Sequence, residues 1–216
     1  MKLRFFVIIS LLLSALSLQA QKSEVGKLSV IPFVGINSSN ISSNDAYYLV
    51  DEDANTLYAP VITSVIKSKG KIGLTAGVAA EYRYSLPLST SVSVGYSRGG
   101  YRYTEGVRMR CHLDFLNLAL LENLYIADGL ALKAGVQFDY LMGGKYKYDE
   151  FPTEDISYDL FRRWNFVIPV GISYEYQRFM LDLRYNFGIS DMNKILDGTQ
   201  RSKGFVMSLG YRFHLN

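Results

Sequence analysis

Apolar residues recur at every second position along much of the chain. Between residues 71 and 85, Ile72, Leu74, Ala76, Val78, Ala80, Tyr82 and Tyr84 share one face. Lys71, Gly73, Thr75, Gly77, Ala79, Glu81, Arg83 and Ser85 share the other. A period of two is the mark of a β-strand with one oily side. The pattern returns over residues 166–177, 179–189 and 205–214, and in weaker form over 28–37, 91–103, 112–125 and 130–140. Eight strands are therefore predicted. In the 91–103 segment the apolar parity passes from Val92, Val94 and Tyr96 to Tyr101 and Tyr103 across Gly99 and Gly100, which predicts a β-bulge there. The 112–125 segment is the least regular, because Leu116, Leu118 and Leu120 do not share a face with Phe115 and Leu121.

The connections alternate in length. Long links fall at 38–70, 104–111, 145–163 and 190–202, and short ones at 86–89, 127–129 and around Gln177 and Arg178. This is the asymmetry of an all-β, closed antiparallel up-and-down transmembrane β-barrel of about eight strands, with brief periplasmic turns and extended external loops. Aromatic placement agrees: Tyr82, Tyr84, Tyr125, Tyr174, Tyr176, Phe179, Tyr211 and Phe213 gather beside the short turns. Tyr96, Tyr101, Tyr103, Tyr140, Tyr185 and Phe187 gather toward the long loops, so two interfacial girdles are expected.

A soluble barrel of the lipocalin kind also alternates, with its apolar side turned inward. The polar face separates the two readings. It carries Gly73, Gly77, Gly95, Gly135, Gly171, Gly188 and Gly210, whereas a water-facing strand surface is poor in glycine. Small residues suit the interior of an eight-stranded barrel, which is only just wide enough for side chains. The charges on this face balance, with Glu81, Asp139, Glu175 and Asp182 against Arg83, Lys133, Arg184 and Arg212. Buried singly these groups would be costly, so they are expected to form one interleaved ion-pair network that plugs the lumen. A narrow conduit or a ligand pocket is the alternative use of the same residues.

Composition adds three points. The 17 Tyr, 12 Phe and 18 Gly, beside a single Trp, suit β-structure with crowded positions. Lys2 and Arg4 precede an apolar run from Phe5 to Leu18 that ends in Ala20, so residues 1–20 read as a secretory signal peptide and 21–216 as an outer-membrane β-barrel domain. Without Lys2 and Arg4 the remaining charge is within about one unit of neutral, so no long-range field recruits nucleic acid. The lone Cys111 excludes an internal disulfide.

Candidate chemistry is thin. His112 and His214 are the two histidines, and Cys111 beside His112 points to the opposite face of its strand. Asp45, Asp51, Glu52 and Asp53 cluster in the first long link but lack the glycine and closing glutamate of a calcium loop. No catalytic, cofactor or metal site is expected. The expected surroundings are outer-membrane lipid and a protein partner met through the external loops.

The runs LDFLNLALL at 113–121 and LKAGV at 132–136, with LRYNFG at 183–188 and LGYRF at 209–213, resemble the outer-membrane β-barrel domain family of Bacteroidetes that includes PorT-like proteins. The resemblance spans nearly all of residues 28–213. It implies an outer-membrane location and, for some members, an accessory part in protein export across that membrane, with no functional residue defined.

Overall fold

The computed structural model describes residues 25–43, 69–103, 109–148, 154–155, 162–191 and 200–215. The expected signal peptide and the acidic cluster of the first link lie outside the described residues. Eight antiparallel strands form the wall: β1 (Leu28–Ser43), β2 (Lys69–Arg83), β3 (Leu88–Tyr103), β4 (Met109–Ala127), β5 (Leu130–Tyr148), β7 (Trp164–Tyr176), β8 (Phe179–Gly188) and β9 (Gln200–Tyr211). β6 (Glu154–Asp155) is a two-residue piece against the outer end of β5, and β10 (Phe213–Leu215) continues β9 beyond an interruption at Arg212. Each strand pairs with its sequence neighbour in the wall, and β1 pairs with β9 and β10 as well as with β2, so the sheet closes on itself. Closure leaves no unpaired edge, which is what hydrocarbon demands of a strand structure.

The faces are sorted as the alternation requires. Leu74, Val170 and Leu209 on the outer surface are 66%, 45% and 51% exposed, whereas Glu81, Asp182 and Arg212 inside are buried. An exterior of leucine, valine and aromatic side chains around a charged interior is stable only with lipid outside. Three tight connections lie at one end, after Arg83, Ala127 and Tyr176. The Asp128-Gly129 turn carries a positive φ at Gly129, and the register slips by one residue beside it between Tyr125 and Ala127, as a turn closed by a left-handed glycine with a bulge requires. At the same end Tyr82, Tyr84, Tyr174, Tyr176, Phe179 and Phe213 face outward, and at the other Tyr140 packs on Trp164 while Tyr185 packs on Phe187 and Phe205. These are the two girdles.

Three expectations are corrected. β3 pairs with β4 without a slip from Leu88 to Tyr103, so Gly99 and Gly100 make no bulge between those strands. The irregularity falls across β2 and β3, between Gly70 and Thr75. Tyr101 consequently keeps the interior parity and is buried instead of joining a girdle, and Tyr125 likewise turns inward to meet Glu81. The irregular 112–125 segment has a simple cause: Leu113 and Leu121 are buried inside while Leu116, Leu118 and Leu120 are exposed outside, so both faces of β4 are apolar in places. Finally, β4 begins at Met109, ahead of the expected start at His112, so only residues 104–108 separate it from β3.

Candidate functional site

The barrel interior is the candidate site, and register decides which of its polar groups meet. Nearest the short turns, Arg212 lies between two carboxylates. Its Nη2 donates to Glu81 Oε2 at 3.2 Å and its Nε to Glu175 Oε2 at 2.9 Å. Glu81 also accepts from Tyr125 Oη at 2.6 Å and Ser89 Oγ at 2.9 Å, and Ser89 in turn accepts from Asn123 at 2.9 Å. Arg212 faces inward on the same parity as the buried Ser208, and its backbone N–H donates to the carbonyl of Arg178 in the adjacent turn. Arg83 lays its guanidinium over the Tyr125 ring, 3.5 Å from the centroid.

One level further out, Asp182 on β8 accepts from Lys133 Nζ at 2.7 Å and from Arg184 Nε at 2.6 Å, with all three side chains almost fully buried. Next comes an aromatic crossing. Phe33 on β1 stands opposite Gly77 on β2 and Gly210 on β9, and Gly77 stands opposite Gly95 on β3. A Cβ at Gly77 would come within 2.7 Å of the Phe33 ring, so glycine here is the space the ring occupies.

Asp139 lies at the outermost polar level. It accepts from Asn117 at 2.6 Å, Gln137 at 2.7 Å and Asn165 at 3.3 Å, and Asn165 is tied to Ser202 and Ser190. The expected single network is therefore two separate ion clusters, Glu81–Arg212–Glu175 and Lys133–Asp182–Arg184, with Asp139 held by amides. Tilted strands displace residue 139 several rows from the arginines, and the amide donors come from β4, β5 and β7. Of these, Asn117 lies on the polar parity opposite Leu116, Leu118 and Leu120 on β4. The convergence of the amides on Asp139 was not readable from the sequence.

Space in the lumen is divided by these layers. A vestibule of about 560 Å³ opens among Glu81, Arg83, Tyr125, Glu175 and Arg212 at the short-turn end. A gap of about 20 Å³ remains between Phe33, Lys133 and Asp182, and a cavity of about 100 Å³ lies beyond, beside Asp139. Phe33 and Arg184 line both of the latter and partition them. Away from the lumen, Cys111 is buried inside, while His112 on the opposite parity contacts Lys71.

An eight-stranded closed wall with an apolar belt, two aromatic girdles and a charged, filled interior defines a bacterial outer-membrane β-barrel protein. The chain belongs to the outer membrane protein beta-barrel domain family, whose pattern matches residues 19–194, and its location is the bacterial outer membrane. No curated protein matches the chain. Solved structures similar to it include Ail, the attachment invasion locus protein of Yersinia pestis, at 14% identity over 88% of this chain and 100% of that one, TM-score 0.48. Neisserial surface protein A is similar at 14% identity over 86% and 97%, TM-score 0.47. OprG from Pseudomonas aeruginosa is similar at 12% identity over 89% and 98%, TM-score 0.47.

Proposed function

We propose that this protein is a non-conducting membrane anchor that acts as a binding module, presenting its external connections to a partner, and that it is not an enzyme. The observation that carries this reading is the filled lumen. Two buried ion clusters and the Phe33 crossing occupy successive levels, and the gap between Phe33, Lys133 and Asp182 is about 20 Å³, room for about one water. A wall so closed contributes rigidity, and loops on a rigid scaffold carry recognition. The longest connection, between Ser43 and Lys69, supplies the most contact surface. Planar-bilayer recordings of the refolded protein are expected to be silent, and stable conductance steps would overturn the reading. Deleting residues 44–68 is expected to preserve heat-modifiable gel mobility and to abolish in-cell crosslinks made from photo-reactive groups in the external connections.

A second reading is an accessory role in an export or envelope complex, in keeping with the resemblance to PorT-like proteins of Bacteroidetes. The open vestibule favours it, because charged and aromatic groups there face the periplasm. Crosslinkers at Asp128 and Gln177 distinguish the two: partners captured from these positions, and none from the external side, would select the second.

A further inference from the structure

On the outer surface, beyond the aromatic girdle, four cations stand side by side on four adjacent strands. Lys69 on β2 is opposite Arg102 on β3, Arg102 is opposite Arg110 on β4, and Arg110 is opposite Lys147 on β5. All four are exposed. Arg102 and Arg110 continue the outward faces of Val92, Val94, Leu116 and Leu118, so the row looks away from the lumen. Like charges directly opposite one another destabilise a sheet, and this row repeats that arrangement three times over about 14 Å.

Two irregularities in the wall create the row. Thr75 on β2 and Leu141 on β5 are interior residues with odd numbers, so an unbroken alternation would turn Lys69 and Lys147 into the lumen. The register shift between Gly70 and Thr75 adds one residue to β2, and that between Leu141 and Gly143 adds one to β5. Each extra residue reverses the parity above it and brings a lysine outward beside an arginine. Re-aiming side chains is a known use of such irregularities. Both act here to gather positive charge on one face.

A lower tier adds to it. Lys71 contacts His112, Lys145 is opposite His112, and Arg98 pairs with Asp114 at 2.8 Å. Among the described residues, Asp114 is engaged by Arg98 and Tyr96, and Asp155 and Glu154 stand opposite Lys145 and Tyr146 in the short β6 ladder. On the far side of the barrel the corresponding cations, Arg201 and Lys203 on β9, stand opposite Ser42 and Asn40 on β1, with no like-charged neighbour across that pairing.

We propose that the outward face of β2–β5 above the girdle is a binding surface for the phosphate groups of an outer-leaflet glycolipid. Height selects this partner. Arg98 is two residues and Arg102 six residues beyond Tyr96, which puts the patch roughly 5–15 Å above the girdle once strand tilt is included. The headgroup layer occupies about the first 5–8 Å of that range, and a phosphorylated saccharide fills the rest. A surface turned sideways, away from the mouth, is met by neighbouring lipids before any soluble molecule. Arginine and lysine supply the forked and point-charge donors that phosphate accepts.

The test uses the full mature barrel in nonionic detergent, with native mass spectrometry reading lipid adducts. The probes are bisphosphorylated lipid A, the same lipid stripped of both phosphates, and soluble tripolyphosphate. The wild-type protein is expected to bind the bisphosphorylated lipid at least tenfold more tightly than the stripped one. The variant Lys69→Gln/Arg102→Gln/Arg110→Gln/Lys147→Gln is expected to lose that preference while keeping heat-modifiable mobility, and Arg201→Gln/Lys203→Gln is expected to retain it. Equal binding of the two lipids by wild type, which requires no variant to fold, overturns the proposal. So does an equal loss in the β9 variant. Tripolyphosphate bound as tightly as lipid A would reassign the surface to soluble polyanions.

Discussion

Asp182 and Asp139 are both buried carboxylates, yet their surroundings predict opposite sensitivities. Asp182 is the shared acceptor of Lys133 and Arg184. Neutralising it leaves two buried cations without their partner, so Asp182→Asn is expected to lower unfolding stability by about 3–5 kcal/mol. Asp139 accepts from three amides that can also donate to or accept from an amide, so Asp139→Asn is expected to cost about 1 kcal/mol. Urea unfolding in lipid vesicles checks both. The single Trp164, placed in the outer girdle against Tyr140, reports on it by fluorescence. Equal losses in the two variants would show that the amide cage is not the reason Asp139 tolerates burial. The charge of each residue and the face it occupies were legible from alternation alone. The company each keeps was not, because it is set by strands far apart in sequence.

Two of the three short turns differ in backbone strain. At Gly129 φ is +72°, and a Cβ there would meet the carbonyl oxygen of Glu175 at 2.2 Å. Gly129→Ala is therefore expected to destabilise the β4–β5 end by about 1–3 kcal/mol. Gln177 and Arg178 adopt φ of 60° and 148° without the freedom of glycine. Arg178→Gly is expected to raise the denaturant midpoint, by about 1 kcal/mol in stability, since the turn otherwise holds a side chain in a region glycine occupies freely. An unchanged midpoint would show that the turn carries no strain. Gly99 and Gly100 show how a correct signal leads to a wrong element. They do mark a special site: Ser39 Oγ both donates to the Gly100 carbonyl and accepts from its N–H, and a Cβ at Gly100 would strike the Cys111 carbonyl at 2.0 Å. Close approach of β1 at Gly99, and of β4 with a φ of +135° at Gly100, demands the glycines, and the register shift itself falls in β2.

Closure and filling together govern what the barrel can pass. Phe33 and Arg184 border both the small central gap and the outer cavity, so their removal joins the two. Phe33→Ala/Arg184→Ala is expected to produce conductance steps in planar bilayers where the wild type gives none, and a silent double variant would place the barrier at the Glu81–Arg212 level instead. Local alternation by itself determined the strand number, the lipid-facing and interior faces, the turn end and the balance of interior charge, because side-chain direction in a strand depends on nothing beyond its neighbours. Tertiary structure decided which interior groups meet, where Lys69 and Lys147 point, and that the charges form two clusters and not one. Those outcomes depend on register, tilt and single-residue slips between paired strands, and each slip turns over every side chain beyond it.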